Sequence, residues 1–336
     1  MSETSGPAEP PGDVPRTWDS LLAEVEERHV AALTAVGGPR MQAIRSGTVD
    51  NVALDEDDLF AQIRTVLSYL PTNVDEEPPF LDAGDPPDRW CEELLDIVPD
   101  NRRRPFNAQQ MIEAVVDDGS FFELAPAYGR ALVAGVARVA GQAVGVFSSN
   151  PYVNAGAMDL PACEKQTRVA ELCDTFHLPM VYFADVPGFM IGIEAERSGL
   201  MRRGVRAMQA VHRATVPVVT IQVRRSYGLA GNATGAPNRL SVKIAWPLGE
   251  WGDMPIEGGV DALFRRELEA SDDPAALRDR IEARMQAAAS IWGTAESFGV
   301  EDIIDPRDTR RVLSRWIAAS TAHRRVGPKQ GPQVRP

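Results

Sequence analysis

The sequence predicts an α/β fold, and three observations carry that reading. Residues 216–223 form a β-branched, apolar run of the kind that makes a strand buried on both faces. Helical and strand patterns alternate through the second half of the chain. Residues 131–140 and 142–147 read as two adjacent strands joined at Gly141, a hairpin signal. Alternation with short hairpins suits a layered β-β-α spiral as well as a doubly wound sheet.

In chain order, residues 1–16 are rich in Pro, Gly and Glu, a composition that predicts disorder. A helical pattern with Trp18, Leu21, Leu22 and Val25 on one face runs from Trp18 to about Val36 and stops at Gly37-Gly38. A second amphipathic helix follows Asp55, with Leu59, Phe60, Ile63, Val66, Leu67 and Leu70 as its stripe and Pro71 as its end. Residues 71–89 are a proline- and acid-rich connector. The expected organisation is therefore a tail (1–16), a helical extension with its linker (17–90), a main domain (91–323) and a basic tail (324–336).

The main domain opens with a helix over 107–116 and a turn at Asp117-Asp118-Gly119. After the hairpin come a helix over 162–176, a strand over 179–184 and a glycine loop. A helix carrying Met201, Val205, Met208 and Val211 leads into the strand over 216–223. The segment Tyr227-Gly228-Leu229-Ala230-Gly231-Asn232 follows, then a strand over 241–246 and helices over 275–290 and 310–322.

Composition limits the function. The chain has 336 residues, 44% hydrophobic and 25% charged, as a globular protein does. A net charge of −13, with no basic–aromatic interleaving, argues against a nucleic-acid partner. Arg202, Arg203 and Arg206 form a local basic patch that suits either a phosphate-bearing ligand or the solvated face of a helix. Three cysteines (Cys91, Cys163, Cys173) make no CxxC pair, which predicts a reducing, cytoplasmic setting, with Cys163 and Cys173 as packing residues. The four histidines show no ligand spacing, so no metal site is predicted. His177, between Phe176 and Leu178, reads as a core or interface residue. Neither a signal peptide nor a membrane-spanning run is visible.

The chemistry is concentrated where the 216–223 strand breaks at Tyr227-Gly228-Leu229-Ala230-Gly231. A strand, a glycine-flanked turn and a helix start leave several backbone N–H groups without intrahelical partners. Such a group of donors holds an oxyanion, and small residues let a carbonyl come close. Taken alone, the same segment is also an ordinary way for an α/β fold to leave a strand.

The order of motifs over 95–323 narrows the reading. Ile97-Val98-Pro99, Asp117-Asp118-Gly119-Ser120-Phe121, Gly141, Ser149-Asn150-Pro151, Gly156-Ala157-Met158-Asp159, Asp185-Val186-Pro187-Gly188-Phe189, Tyr227-Gly228, Ala245-Trp246-Pro247 and Asp302-Ile303-Ile304-Asp305-Pro306 follow one another. Together they resemble the C-terminal half of the carboxyltransferase (β) subunit of biotin-dependent acyl-CoA carboxylases, in the crotonase superfamily. The resemblance implies a crotonase-like β-β-α spiral in which one half cradles acyl-CoA and the other carboxybiotin, the site forming between halves of different subunits. It also implies that residues 18–47 and 55–71 are remnants of an N-terminal half whose core is missing.

By that resemblance the Leu229 and Ala230 amides form the oxyanion hole for the ureido oxygen. Gly156, Ala157, Pro187, Gly188, Phe189, Gly228, Gly231 and Asn232 line the biotin or substrate pocket. The family reaction uses biotin on a separate subunit: CO2 is released, the biotin anion takes the α-proton of the acyl-CoA, and the enolate captures CO2. No side-chain general base is expected, and Asp185 receives no catalytic proton. Leu229 stands where many relatives have Gly, and Asn232 where some carry a specificity-setting Asp. The implied partners are a biotin carboxylase/carboxyl carrier subunit, a carboxyltransferase chain with an intact N-terminal half, and acyl-CoA, in a hetero-oligomer. Two other readings are a biotin-independent acyl-CoA decarboxylase, or related crotonase-type enolate chemistry, and a non-catalytic structural subunit of a carboxylase complex.

Overall fold

The computed structural model describes residues 36–236, 241–253, 256–321 and 326–327. The tail over 1–16, the Trp18 helix and most of the basic tail lie outside them. Helix α1 (Glu56–Tyr69) is capped by the Asp55 carboxylate, which accepts from the Asp58 amide. A helical turn at Leu94–Ile97 precedes α2 (Ala108–Val115), capped in the same way by Asn107.

The sheet begins with β1 (Phe122–Glu123), β2 (Leu132–Val139) and β3 (Gln142–Ser149). Then come α3 (Leu160–Thr175), β4 (Met180–Val186), α4 (Ile193–Arg197), α5 (Leu200–His212) and β5 (Val218–Tyr227). The turn of helix α6 (Gly228–Asn232) leads to β6 (Ser241–Ala245) and β7 (Glu250–Gly252). A helical cluster of α7 (Ile256–Leu263), α8 (Arg265–Glu269) and α9 (Pro274–Ala288) follows. The described chain finishes with α10 (Ile291–Glu296), β8 (Asp302–Ile303) and α11 (Thr309–Thr321).

Among the described residues the strands form one sheet in the order β1-β2-β3-β4-β5-β6-β8, with β7 paired to β5. The β1–β2 and β2–β3 pairs are antiparallel, and every later pair is parallel. Strand β4 is buried along its whole length because helices cover both sheet faces. The α3 and α5 face packs on Phe147, Met180 and Tyr182, and the α2 and α11 face on Val146, Phe183 and Ile221.

The hairpin expected at Gly141 is present. Val139 pairs with Gln142 across a two-residue turn in which Ala140 and Gly141 both have positive φ. Buried Asp117 accepts from both turn amides at 2.8 and 2.7 Å, and the buried Arg310 guanidinium holds the same carboxylate at 2.8 Å. The 216–223 strand extends to Tyr227, and the other expected helices and strands among the described residues lie within a few residues of their places, whereas the short elements β1, α4, β7, α7, α8, α10 and β8 are not among those expected.

Trp246 is core: it is buried, and its indole N–H donates to Thr309 Oγ1 at 3.0 Å. His177 is buried with its ring Nε2 2.7 Å from the Val74 carbonyl. Cys163 and Cys173 are packed in the core, and burial pushes the Cys163 thiol up to about 12. Helix α1 forms as expected, yet Leu59, Phe60, Ile63 and Leu67 on its stripe are exposed. The helix is fastened at its C-terminal end, where the Tyr69 hydroxyl donates to the Ser120 carbonyl and Arg138 donates to the Ser68 carbonyl at 2.7 Å.

Candidate functional site

Three loops leave the C-terminal ends of the parallel strands β3, β4 and β5 at one sheet edge. Val186 pairs with Ser226 across β4 and β5, so Pro187-Gly188-Phe189 and Gly228-Leu229-Ala230 emerge side by side. The third loop joins them through Met158, whose amide donates to the Gly188 carbonyl at 3.0 Å and whose carbonyl accepts from Met190 at 2.9 Å. The register shift between Ala184 and Val186 marks a bulge where β4 leaves the sheet.

Glycine is required at two of these positions. A Cβ on Gly156, whose φ is +84°, would sit 2.7 Å from the Asp185 carbonyl oxygen. A Cβ on Gly228, at φ +58°, would sit 2.9 Å from the Asp253 carbonyl oxygen. Phe189 is seated by a third close approach, against Gly204 of α5. A Cβ there would lie 2.6 Å from the ring. Gly204→Ala is expected to push the Phe189 ring out and to destabilise the protein by about 1–3 kcal/mol. A thermal melt indistinguishable from wild type would show that this packing does not hold the loop.

Tyr227 is the N-cap of α6 and gives it no side-chain cap; its hydroxyl donates instead to the Glu250 carboxylate at 3.1 Å. The first-turn amides of α6, Leu229 and Ala230 among them, have no acceptor within the helix. Ala230 is buried and Leu229 is 38% exposed, so the turn is solid on one side and open on the other.

Beneath these loops is a charge cluster built from two adjacent strands. Asp185 accepts from Arg224 Nη2 at 2.6 Å and Nε at 3.2 Å, and from Arg225 Nε at 2.8 Å and the Arg225 amide at 3.1 Å. Arg225 Nη2 also donates to the Ala155 carbonyl at 3.0 Å, tying the third loop to β5. Burial by itself would raise the Asp185 carboxyl; the hydrogen bonds and charges of Arg225 and Arg224 outweigh it and hold the group below the usual carboxylate range. Such a carboxylate is a strut and not a proton acceptor.

The structure thus brings Gly156, Ala157, Pro187, Gly188, Phe189, Gly228, Leu229, Ala230 and Gly231 to one edge. Asn232 is at the far end of α6; its carbonyl faces His212 Nε2 at 3.0 Å, and the residue lines a separate 440 Å³ cavity with Lys243 and Glu301. Of the basic patch, Arg203 pairs with Glu164 at 3.3 Å, and Arg203 and Arg206 line a 350 Å³ cavity with Lys165 and Arg168. No group of three or more His, Cys, Asp or Glu residues among the described residues is placed to hold a metal ion. The roles of Arg224 and Arg225 were not legible in sequence. The pair itself is visible beside the turn, but its carboxylate lies some 40 residues earlier.

The model of the carboxyl transferase domain matches residues 24–332. The chain belongs to the carboxyl transferase domain family. It is 38% identical over 280 residues to the carboxyltransferase subunit of a propionyl-CoA carboxylase from Haloferax mediterranei, covering 83% of this chain and 54% of that one. It is 34% identical over 318 residues to the α subunit of a methylmalonyl-CoA decarboxylase from Veillonella parvula, covering 94% of this chain and 61% of the other. A transcarboxylase 12S hexamer core, solved with methylmalonyl-coenzyme A and methylmalonic acid bound, superposes with a TM-score of 0.81 at 32% identity. That match covers 89% of this chain and 58% of the other. The carboxyltransferase fold, crotonase-like and α/β, is therefore the fold of this chain. The chain spans a little over half the length of these relatives. No helix among the described residues is long and apolar enough to cross a membrane.

Proposed function

We propose that this chain supplies the carboxybiotin-side half of a carboxyltransferase site, the other half coming from a partner chain that carries the acyl-CoA cradle. One observation carries the reading: the α6 turn presents uncapped backbone donors at a sheet edge shared with the Pro187–Phe189 loop. The donors fit a ureido oxygen. They are oriented by the fold and cannot titrate, and the close approaches at Gly156, Gly228 and Gly231 leave the backbone bare of side chains.

When bound, a carboxylated biotin brought by a carrier subunit supplies the CO2 and the base. The chain's own residues orient and polarise. The Leu229 and Ala230 amides stabilise negative charge on the ureido oxygen, while Asp185, Arg224 and Arg225 keep the three loops in register. The half-site reading is supported by the exposed apolar side chains on these loops and beside them. Ile191 is 88% exposed and Ile193 70%, with Leu229 and Trp251 near 40%. An apolar rim of this kind suits burial against another chain.

The reading has a direct test: affinity purification of the tagged chain from its own host, with mass spectrometry of what accompanies it. Recovery of a carboxyltransferase relative with an intact N-terminal half, together with a biotinylated subunit, is the expected outcome. Carboxylation assays with and without this chain then separate a catalyst from a structural subunit. Recovery of a homo-oligomer alone would overturn the split site. It would favour the second reading, acyl-CoA decarboxylation, to which the Veillonella relative's name points.

A further inference from the structure

The α6 turn is buttressed from one side by β7, and the contact runs through one acidic side chain. Strand β7 lies parallel to the last three residues of β5, with Glu250 opposite Arg225, Trp251 opposite Ser226 and Gly252 opposite Tyr227. A parallel ladder this short holds little by itself, and side chains secure it. Gln222 does so at the backbone, where its Nε2 donates to the Glu250 carbonyl at 2.7 Å. Tyr227 does so at the side chain, where its hydroxyl donates to Glu250 Oε2 at 3.1 Å. Glu250 therefore clasps the stretch of β5 from Gln222 to Tyr227.

The Glu250 carboxylate is buried, and both of its oxygens are engaged. Oε1 pairs with the guanidinium of exposed Arg102. Arg102 stands in a turn closed by the Arg104 amide on the Asn101 carbonyl at 2.9 Å, and Arg224 ties that turn to β5 by donating to the Arg104 carbonyl at 2.9 Å. Burying a carboxylate is costly unless its oxygens are bonded, and here one bond goes to the residue that starts α6. Tyr227 is extended, at φ −112° and ψ 139°, and Gly228 reverses the chain at φ +58°. Three residues after Glu250, the Asp253 carbonyl oxygen stands 2.9 Å from where a Cβ on Gly228 would be. The segment over 250–253 thus meets the turn at two consecutive residues, Tyr227 and Gly228, and these set the direction of the Leu229 and Ala230 amides.

We infer that Glu250 is a positioning residue for the oxyanion turn: its carboxylate fixes the Tyr227 ring, and Tyr227 fixes the amides that follow it. Its meaning for the reaction rests on the carboxyltransferase reading of that turn. A displaced donor is a weakened one, because only groups held in place before charge develops serve the transition state fully. Exposed Arg102 is then the outer end of a chain, Arg102–Glu250–Tyr227, that leads to the oxyanion donors.

Two readouts test this. In the isolated full chain, hydrogen exchange reads the turn directly, since the Ala233 amide donates to the Leu229 carbonyl at 3.1 Å and exchanges when the turn opens. Glu250→Ala and Tyr227→Phe are expected to speed exchange across residues 228–234 and to leave α3 as in wild type. Glu250→Gln, whose side-chain carbonyl still accepts from the Tyr227 hydroxyl, should exchange as wild type does. In the assembled complex, Glu250→Ala and Tyr227→Phe should each lower kcat by about 10–10²-fold with KM for the carboxybiotin carrier unchanged. The double variant should lose no more than either alone, and Glu250→Gln should recover most of the rate. Tyr227→Phe, which removes a single hydroxyl, carries the test should Glu250→Ala fold poorly. Wild-type exchange in Glu250→Ala and Tyr227→Phe, additive losses in the double variant, or an Arg102→Ser loss as large as that of Glu250→Ala would overturn the inference. Exchange needs neither a partner nor turnover, so the two proposals fail separately. If exchange quickens as expected and Ala230→Pro still transfers CO2 at the full rate, the oxyanion reading fails while Glu250 keeps its hold on the turn.

Discussion

Ala230→Pro is expected to lower carboxyl transfer by about 10²–10³-fold in the assembled complex, the usual consequence of losing one oxyanion donor. Ala230 is the third residue of α6, where a backbone N–H has no intrahelical acceptor, so proline deletes a donor without breaking a helical bond. Ala230→Ser keeps the N–H at the same buried position and should retain most activity. The comparison isolates the amide from the side chain, with circular dichroism and thermal melting as folding controls. If both variants transfer CO2 at the wild-type rate, α6 is an ordinary strand-leaving turn and the oxyanion assignment fails.

The largest stability effect is expected at Asp185. Removing this carboxylate in Asp185→Ala leaves the buried Arg224 guanidinium and the largely buried Arg225 without their counter-ion, a loss of about 3–5 kcal/mol. Asp185→Asn keeps the shape but turns an amide N–H₂ towards two cations, and should lie between the alanine variant and wild type. The pH dependence follows from the sign of the shift. The folded-state carboxyl lies below its unfolded value of about 3.9, so its contribution is complete above that pH. It is lost as pH falls through the folded value. Urea midpoints measured from pH 7 down to pH 3 should therefore drop for wild type and stay flatter for Asp185→Asn. Superimposed acid limbs would remove this cluster from the explanation of acid sensitivity.

Much of the fold was legible because it is written locally. Residues 216–223 read as a buried strand; Gly141 between two apolar runs marks a hairpin; Asp55 and Asn107 stand at the starts of the expected helices that they cap. The proposed oxyanion turn was also local, since strand, glycine and helix start are consecutive in Tyr227–Ala230. The α1 stripe shows where periodicity stops being sufficient. The 3.6-residue pattern specified a helix, but which surface covers its apolar face is a property of the assembled molecule, and Phe60 and Leu67 remain exposed among the described residues.

The sequence by itself determined the longer strands and most of the longer helices, the family and the place of the proposed oxyanion turn, since each depends on residues adjacent in the chain or on the order of motifs. Tertiary structure alone decided what surrounds that turn. The Val186–Ser226 register set two glycine loops side by side, and the buried Asp185 met arginines 39 and 40 positions away. The turn at Arg102–Arg104 reached Arg224 across 120 residues. Parallel strands acquire their neighbours through crossovers, so such pairings depend on long-range register that no local periodicity encodes.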